Sequence, residues 1–203
     1  MSAQPRVRRT QADRSAATRE ALVAAGRRLF AAQGFADVST DAIAAEAGVT
    51  RGALYHQFAD KLALFDAVVD TVEADITARL AEHVAAAGVT DPVESMRLSV
   101  RRWLEICVEP ESRRIALLDG PSVLGWARWR ELCQRHVFGL AEAMLEQGMA
   151  AGRIRSQPTR PLAHILMGAS DEAALYVAEA ADHAKARAEM IEVLDQLIEG
   201  ITA

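Results

Sequence analysis

The chain has 203 residues, of which 51% are hydrophobic and 25% charged, and these values are typical of a globular protein with one or two domains. Charged residues cut every apolar run short of the roughly 20 residues that a membrane span needs, and no apolar signal segment follows the N-terminal arginines, so we expect a cytoplasmic protein. The formal net charge of −5 would disfavour a nucleic-acid partner if it were spread evenly along the chain.

Positive charge is instead concentrated at the N-terminal end. Residues 1–28 carry seven arginines and two acids, a local net charge of +5, whereas residues 61–203 carry a net charge of −7. A basic segment of this kind suits contact with the phosphates of DNA. A solvated basic tail that contacts nothing would give the same pattern.

Four helices are predicted before residue 90, because no proline interrupts residues 6–91. Caps, glycines and apolar spacing place them at about Ser15 to Gly34, Ser39 or Thr40 to Ala47, Thr50 to Phe58, and Lys61 to Ala87. Prolines and glycines divide the second half into five further helices, at about Asp91 to Val108, Pro110 to Pro121, Gly125 to Gly152, Pro161 to Ala181, and Ala184 to Ile201. No segment alternates apolar and polar residues as a strand would, so the predicted fold class is all-α.

The second and third helices are short and meet at a glycine-containing turn, which is the arrangement of a helix-turn-helix. Residues 40–58 place the small Ala44 and Ala47 where two helices must approach closely. Ile43 and Leu54 can hold the crossing together from the core side. A DNA-binding domain is therefore predicted near the N-terminus.

The sequence around these helices resembles the DNA-binding region of the TetR family of transcriptional regulators. The resemblance covers roughly residues 15–65 and is carried by Leu29-Phe30, Gly34-Phe35, Ile43-Ala44, Ala47-Gly48-Val49, Gly52-Ala53-Leu54-Tyr55, Phe58 and Lys61. It implies a homodimer with an N-terminal three-helix DNA-binding domain and a larger helical domain for ligand binding and dimerisation. We accordingly assign residues 1–60 to the first domain, with an ordered core from about residue 15, and residues 61–203 to the second, with residues 61–87 as the connecting helix.

The residues expected to contact DNA lie on and beside the third helix: Thr40, Thr50, Arg51, Gly52, Tyr55, His56, Gln57 and Lys61. Arg51 could bond O6 and N7 of a guanine together and so read a base, although a phosphate contact or a solvated side chain would suit it equally. By resemblance to the family, Tyr55, His56 and Lys61 contact the DNA backbone. Gln57 stands where many family members have histidine, and it can donate a hydrogen bond to phosphate but carries no charge.

A ligand pocket in the second half is implied by the family resemblance, and such pockets have largely apolar walls. The candidate lining residues are Trp103, Cys107, Leu117, Trp126, Trp129, Cys133, Val137, Met144, Met167 and Tyr176. Each of these could instead belong to the ordinary core. The two cysteines are expected to be free thiols, because they form no CxxC motif.

No metal, cofactor or enzymatic activity is predicted. A metal sensor is the alternative raised by His136, His164, Asp171, Glu172, Cys107 and Cys133, but these residues form no compact ligand motif. No GxSxG, P-loop, dinucleotide-binding fingerprint or HExxH motif that would indicate catalysis is found in the sequence.

The last two helices carry apolar stripes that favour pairing of two copies into a four-helix bundle. The expected interface residues are Leu162, Ile165, Leu166, Ala169, Ala173, Tyr176, Ile191, Leu194, Leu197, Ile198 and Ile201. The alternative is that these stripes only cover the core of their own domain.

We therefore predict a ligand-responsive DNA-binding regulator, a repressor that leaves a palindromic operator when a small molecule binds. Recognition helices about 34 Å apart in a dimer would fit successive major grooves. Two alternatives stay open. One is a small-molecule-binding helical protein without operator function, and the other is an architectural DNA binder without sequence preference.

Overall fold

The computed structural model describes residues 10–203, which are helical apart from turns and short connections. The α-helices are α1 (Gln11–Gln33), α2 (Thr40–Glu46), α3 (Arg51–Gln57), α4 (Lys61–Ala87), α5 (Pro92–Ile106), α6 (Pro110–Ser112), α7 (Gly120–Leu124), α8 (Trp126–Cys133), α9 (Gly139–Ala150), α10 (Thr159–Glu179) and α11 (His183–Glu199). Two π-helical segments, π1 (Arg113–Asp119) and π2 (Gln134–Phe138), follow α6 and α8. The predicted all-α class is confirmed. The basic tail predicted to contact DNA, with its arginines at positions 6, 8 and 9, lies outside the described residues.

The chain divides into two compact units, the first ending at Val68 and the second running from Val69 to Ala203. The boundary falls inside α4, which starts at Lys61 and ends at Ala87. The domain division predicted at residue 60 lies at the start of this same helix and stays a prediction.

The first unit is built around a small core of aromatic and aliphatic side chains. Leu22 and Phe30 of α1, Ile43 of α2, Leu54 of α3 and Phe65 of α4 are all fully buried. Phe30 and Phe65 meet edge to face with their ring centroids 5.1 Å apart, which is a favoured geometry for aromatic pairs. This core fixes the two short helices against α1, so the outward side of α3 has a defined orientation.

Helix α1 begins one turn earlier than the sequence predicts, at Gln11 rather than near Ser15. The Asp13 amide donates a hydrogen bond to the Thr10 hydroxyl at 3.2 Å, and the Thr10 amide donates one to the Asp13 carboxylate at 2.8 Å. This reciprocal capping box satisfies two backbone amides, whereas a single serine cap satisfies one. Ser15 therefore lies within the helix, where its hydroxyl accepts a hydrogen bond from Gln57 at 2.9 Å.

The second unit packs α5, α9, α10 and α11 around two apolar clusters. One cluster contains Val93, Met96, Trp129, Cys133, Phe138, Leu145, Ile154, Ala163, Met167 and Ile198. The other contains Leu104, Cys107, Leu117, Ala173, Ala174, Val177, Ala178, Ala186 and Leu194. The two helices predicted between Pro110 and Pro121 and between Gly125 and Gly152 are each broken by a π-helical segment, and this is a correction to the sequence-based expectation.

Candidate functional site

The helix-turn-helix is held together by caps at the start of both of its helices. Ser39 accepts a hydrogen bond from the Ala42 amide at 3.1 Å, and Thr50 accepts one from the Ala53 amide at 3.2 Å. Gly48, in the turn between them, has a φ of 67°, a conformation that costs glycine little and other residues more. The Thr50 side chain, at a position predicted to contact DNA, therefore caps the helix and fixes where α3 starts.

The exposed side of α2 and α3 carries four interacting polar side chains. The Tyr55 hydroxyl lies 3.2 Å from the Thr40 hydroxyl, and the Arg51 guanidinium lies 3.1 Å from the Asp41 carboxylate. Arg51 also lies over the Tyr55 ring, 5.5 Å from its centroid. The hydrogen bond with Thr40 and the adjacent Arg51 lower the pKa of the Tyr55 phenol below its ordinary value. The arginine and the tyrosine are thereby preorganised side by side on one surface.

Gly52 and His56 lie on the same helix and are exposed. A Cβ atom added at Gly52 would meet nothing closer than the Thr50 hydroxyl at 3.9 Å. Packing within the chain therefore does not require glycine at this position. Glycine would, however, allow another molecule to approach the helix closely.

Gln57 and Lys61, both predicted to contact DNA, bond to other parts of their own unit. The Gln57 amide donates to Ser15, as described above. The Lys61 ammonium donates to the backbone carbonyls of Phe35 and Val38 at 2.8 and 3.0 Å, and it lies 4.2 Å from the centroid of the Phe35 ring. Lys61 therefore ties the start of α4 to the loop between α1 and α2, a structural role that its position in the sequence did not reveal.

A small buried cavity of about 40 Å³ lies in the second unit. Its lining residues are Glu73, Ile76, Leu80, Trp103, Leu117, Trp129, Cys133, Val137, Met167 and Asp171. Six of them, the two tryptophans, Leu117, Cys133, Val137 and Met167, were predicted as pocket residues from the sequence. Both π-helical segments contribute a wall, through Leu117 and Val137, and π-bulges often occur at functional sites. We call this space the acidic cavity, because it contains two carboxylates.

A larger cavity of about 120 Å³ has almost entirely apolar walls. They are formed by Met96, Ser99, Val100, Leu140, Ala141, Met144, Leu145, Leu166, Met167, Ser170, Asp171, Leu194, Leu197 and Ile198. We call it the apolar cavity. It shares Met167 and Asp171 with the acidic cavity, so the two spaces adjoin at these side chains.

The remaining predicted pocket residues line neither cavity. Cys107 is fully buried in the core cluster around Leu104. Trp126 is 66% exposed and packs against Trp129 with centroids 5.0 Å apart, and Tyr176 is 50% exposed. Large aromatic side chains look alike in sequence whether they face a cavity or solvent, which is why the prediction placed these residues in a pocket.

Two acidic residues of the cavity, Glu73 and Asp171, were not among the residues predicted to bind a ligand. The Asp171 carboxylate accepts a hydrogen bond from Arg130 at 2.8 Å, while a Glu73 oxygen accepts one from the Cys133 thiol at 3.6 Å. Burial and the nearby Asp171 charge raise the pKa of Glu73 to about 7, and burial raises the pKa of Asp171 to about 6. Burial also raises the pKa of both cysteine thiols well above their ordinary value. Among residues 10–203, no group of three His, Cys, Asp or Glu side chains converges to hold a metal ion.

The residues predicted to form a dimer interface fall into three groups. Ala173, Leu194 and Ile198 are at most 5% exposed and pack inside their own unit, so they are covered without a partner. Half-buried members are Leu162, Leu166, Ala169, Ile191 and Ile201. Ile165, Tyr176 and Leu197 are 71%, 50% and 49% exposed, and Val193, which was not predicted, is 51% exposed. We call the last four residues the exposed apolar face.

Comparison with known proteins gives matches along most of the chain. Residues 22–68 match the model of bacterial regulatory proteins of the tetR family, and residues 93–201 match that of the tetracyclin repressor-like C-terminal domain. A TetR-family transcriptional regulator from Pectobacterium atrosepticum has a similar structure, with a TM-score of 0.83 and 34% identity over 96% of this chain and 98% of that chain.

Two curated relatives are similar over part of the chain. The transcriptional regulator AcrR of Shigella flexneri is 36% identical over 100 residues, which are 49% of this chain and 46% of AcrR. The transcriptional repressor BepR of Brucella suis is 43% identical over 63 residues, which are 31% of this chain and 30% of BepR. The matched segments thus span less than half of either relative. Among residues 10–203, no helix is long and apolar enough to cross a membrane.

Proposed function

Because the chain belongs to the TetR family of DNA-binding transcriptional regulators, we propose that it is a cytoplasmic repressor released from a palindromic operator by a small molecule. The observation that carries the proposal is the surface formed by Thr40, Arg51 and Tyr55 on the capped helix-turn-helix. A guanidinium and a phenol held together at the start of an exposed short helix can contact a base edge and the adjacent phosphates. The similarity to the transcriptional repressor BepR supports repression as the outcome.

A homodimer is part of the proposal, because one helix-turn-helix reads only half of a palindrome. The exposed apolar face on α10 and α11 offers a surface for it, since large apolar side chains at high exposure are unfavourable in water. A two-fold axis would bring identical faces together, as in most homodimers. Recognition helices in the pair would then be about 34 Å apart.

Ligand release is proposed to work as a two-state equilibrium. A small molecule in the cavities of the second unit favours a dimer whose recognition helices no longer match the major grooves. Such coupling is typically about 1 to 3 kcal/mol and is reciprocal, so operator DNA must weaken ligand binding by the same factor.

The test is selection of binding sites by the purified protein from random duplex DNA. The proposal expects an enriched palindrome, whereas an architectural DNA binder would bind without enrichment and a purely ligand-binding protein would not retain DNA. Arg51→Ala is expected to relax the preference at one base pair in each half-site, at a cost of roughly 1 to 3 kcal/mol on the preferred sequence.

Arg155→Ala, which removes an exposed arginine in the second unit, is the matched control and should leave the selected sequence unchanged. Uniform weakening on all duplexes by Arg51→Ala would show that Arg51 contacts phosphate rather than a base.

A further inference from the structure

The acidic cavity contains more negative than positive charge. Asp171 is paired with Arg130 at 2.8 Å. Glu73 is only 5% exposed, and no Lys, Arg or His among the described residues lies within ion-pair distance of it. The charged groups that act on Glu73 are Asp171 and Asp70, and both are negative. The Glu73 carboxyl group therefore has no cationic partner among the described residues, and it carries an unpaired charge once its proton is lost.

The hydrogen bonds of Glu73 are incomplete as well. Its Oε1 atom accepts a hydrogen bond from the Cys133 thiol, which is a weak donor. Its second oxygen, Oε2, accepts no hydrogen bond from a described residue, although the side chain lines the cavity. Buried carboxylates are ordinarily paired or fully hydrogen-bonded, because an unpaired buried charge is costly. This side chain has the acceptor capacity that a positively charged donor would use.

The walls around the carboxylate favour an apolar body attached to such a donor. The indole N–H groups of Trp103 and Trp129 donate to the backbone carbonyls of Ser170 and Ala116, at 3.2 and 2.9 Å. They are therefore not available as donors to a ligand, and the tryptophans contribute ring surface instead. The apolar cavity continues beyond Met167, a flexible side chain that can move aside.

We propose that the acidic and apolar cavities together form the effector site, and that the effector is a compact organic cation, an alkyl or aryl ammonium compound. The ammonium group lies between the Glu73 and Asp171 carboxylates, and the hydrocarbon part extends past Met167 into the apolar cavity. The effector role rests on the proposed function, whereas binding of the cation itself does not depend on DNA.

Binding is measured by calorimetry and by thermal unfolding with 2-phenylethylammonium and hexylammonium as probes. Their uncharged analogues, 2-phenylethanol and hexan-1-ol, and the anion hexanoate are the comparison compounds. At least one ammonium probe is expected to bind at least about tenfold more tightly than its alcohol, and hexanoate is not expected to bind, since a charge-assisted hydrogen bond in a buried site is strong. Equal binding of amine and alcohol, or no binding of either amine, overturns the proposal.

The Glu73→Gln variant tests whether the Glu73 carboxylate binds the ammonium group. This variant keeps the shape and removes the charge, so it is expected to weaken ammonium binding at least about tenfold while raising the melting temperature of the ligand-free protein. Loss of binding can then not be attributed to unfolding. Glu172→Gln, an exposed position on the same helix as Asp171, is the control and should bind as the wild type does. Wild-type affinity in Glu73→Gln overturns the assignment.

Titration of DNA complexes separates this inference from the proposed function. An ammonium probe that binds but leaves operator affinity unchanged overturns the effector role. An operator-binding protein that binds neither probe overturns the site while the repressor function stands. Absence of any selected operator overturns the proposed function, and the calorimetric comparison still tests the cation site by itself.

Discussion

The ion pair between Arg51 and Asp41 bears directly on DNA recognition, because Arg51 can contact a base only by giving up this partner. Both side chains are 62% exposed, and exposed ion pairs contribute at most about 1 kcal/mol. The free-energy cost of moving Arg51 from Asp41 to a DNA contact is therefore small. The carboxylate also adds negative charge to the surface that must approach phosphates.

We predict that Asp41→Asn raises the affinity for operator and for random duplexes alike, by several-fold at moderate salt, because repulsion is removed and Arg51 is freed. Stability should change by only a few tenths of a kcal/mol, since Asp41 lies in the first turn of α2 and loses a favourable dipole interaction. Electrophoretic titrations at several salt concentrations measure the effect, with the second-unit variant Glu172→Gln as a charge-matched control. Unchanged or weakened binding would contradict the repulsive role of Asp41.

Lys61 gives a second prediction at the residue scale. Because its ammonium donates to two backbone carbonyls, Lys61→Ala is expected to destabilise the first unit by about 2 kcal/mol. Urea unfolding measures this loss. Tyr55→Ala, at an exposed position, should instead leave stability nearly unchanged and weaken binding to all duplexes. A Lys61→Ala protein of full stability and reduced DNA affinity would show that the lysine contacts phosphate instead.

Arg51, Tyr55 and Lys61 show how much could be predicted from the sequence for individual residues. Arg51 and Tyr55 were both predicted to contact DNA, Arg51 from the chemistry of its guanidinium group and Tyr55 from the resemblance to the family. The partners of Lys61 are 23 and 26 residues away in sequence, so only the folded structure reveals them. The missing cationic partner of Glu73 could not be predicted either, because the surroundings of this side chain are also formed only in the folded structure.

Secondary structure was predictable wherever caps and breakers determine it, and not elsewhere. α4 starts at Lys61 and ends at Ala87 as the sequence predicts, because a glycine follows its last turn. The sequences of π1 and π2 contain no comparable cap or breaker. A π-helical turn holds one residue more than an α-helical turn, and over so short a segment the apolar spacing still fits an α-helix. The cavity walls supplied by these segments were therefore only partly predictable.

Gly120, immediately after π1, gives a prediction at the element scale. A Cβ atom there would lie 2.9 Å from both the Ile115 carbonyl oxygen and Cδ1 of Trp129, and neither neighbour can move easily. We expect Gly120→Ala to destabilise the protein by roughly 1 to 3 kcal/mol. Gly139→Ala is the control, because nothing lies within 4 Å of its added Cβ atom and a helical glycine to alanine change is stabilising. Thermal unfolding of both variants decides, and similar melting temperatures would contradict the close packing at Gly120.

At the scale of the whole molecule, the buried carboxylates make stability depend on pH. The pKa of Glu73 is raised from its ordinary value near 4.5 to about 7, so the folded chain holds a proton that the unfolded chain has released in this range. The contribution of Glu73 to stability therefore falls as pH rises from about 4.5 to about 7. Asp171, with a pKa of about 6, adds a loss in the same direction at lower pH.

Glu73→Gln is accordingly predicted to be more stable than the wild type by about 3 kcal/mol at pH 8 and nearly equal to it at pH 4. Unfolding by urea at both pH values gives the comparison, with Glu172→Gln as the exposed control. A difference that is the same at both pH values would show that packing, rather than the proton, distinguishes the two side chains.

For assembly, the sequence predicts only that the last two helices carry apolar stripes. Periodicity does not show which residues of a stripe are buried within their own domain and which are left for a partner. Leu194 and Ile198 proved to be buried within the unit, so charging them would unfold the chain and reveal nothing about dimers. Ile165 and Val193 are 71% and 51% exposed and line neither cavity, whereas Leu197 borders the apolar cavity. The first two positions are therefore the appropriate probes of the proposed interface.

We predict that Ile165→Glu combined with Val193→Glu yields a folded monomer with greatly reduced operator affinity. The charges would be buried without partners in a dimer but solvated in a monomer, so they act against association while the fold is kept. Gln196→Glu adds one negative charge at an exposed position on α11 and should change neither property if the interface is centred on the apolar residues. Sedimentation measures the oligomeric state and circular dichroism the fold. A double variant that still sediments as a dimer and still binds operator DNA would place the interface on another surface of the chain.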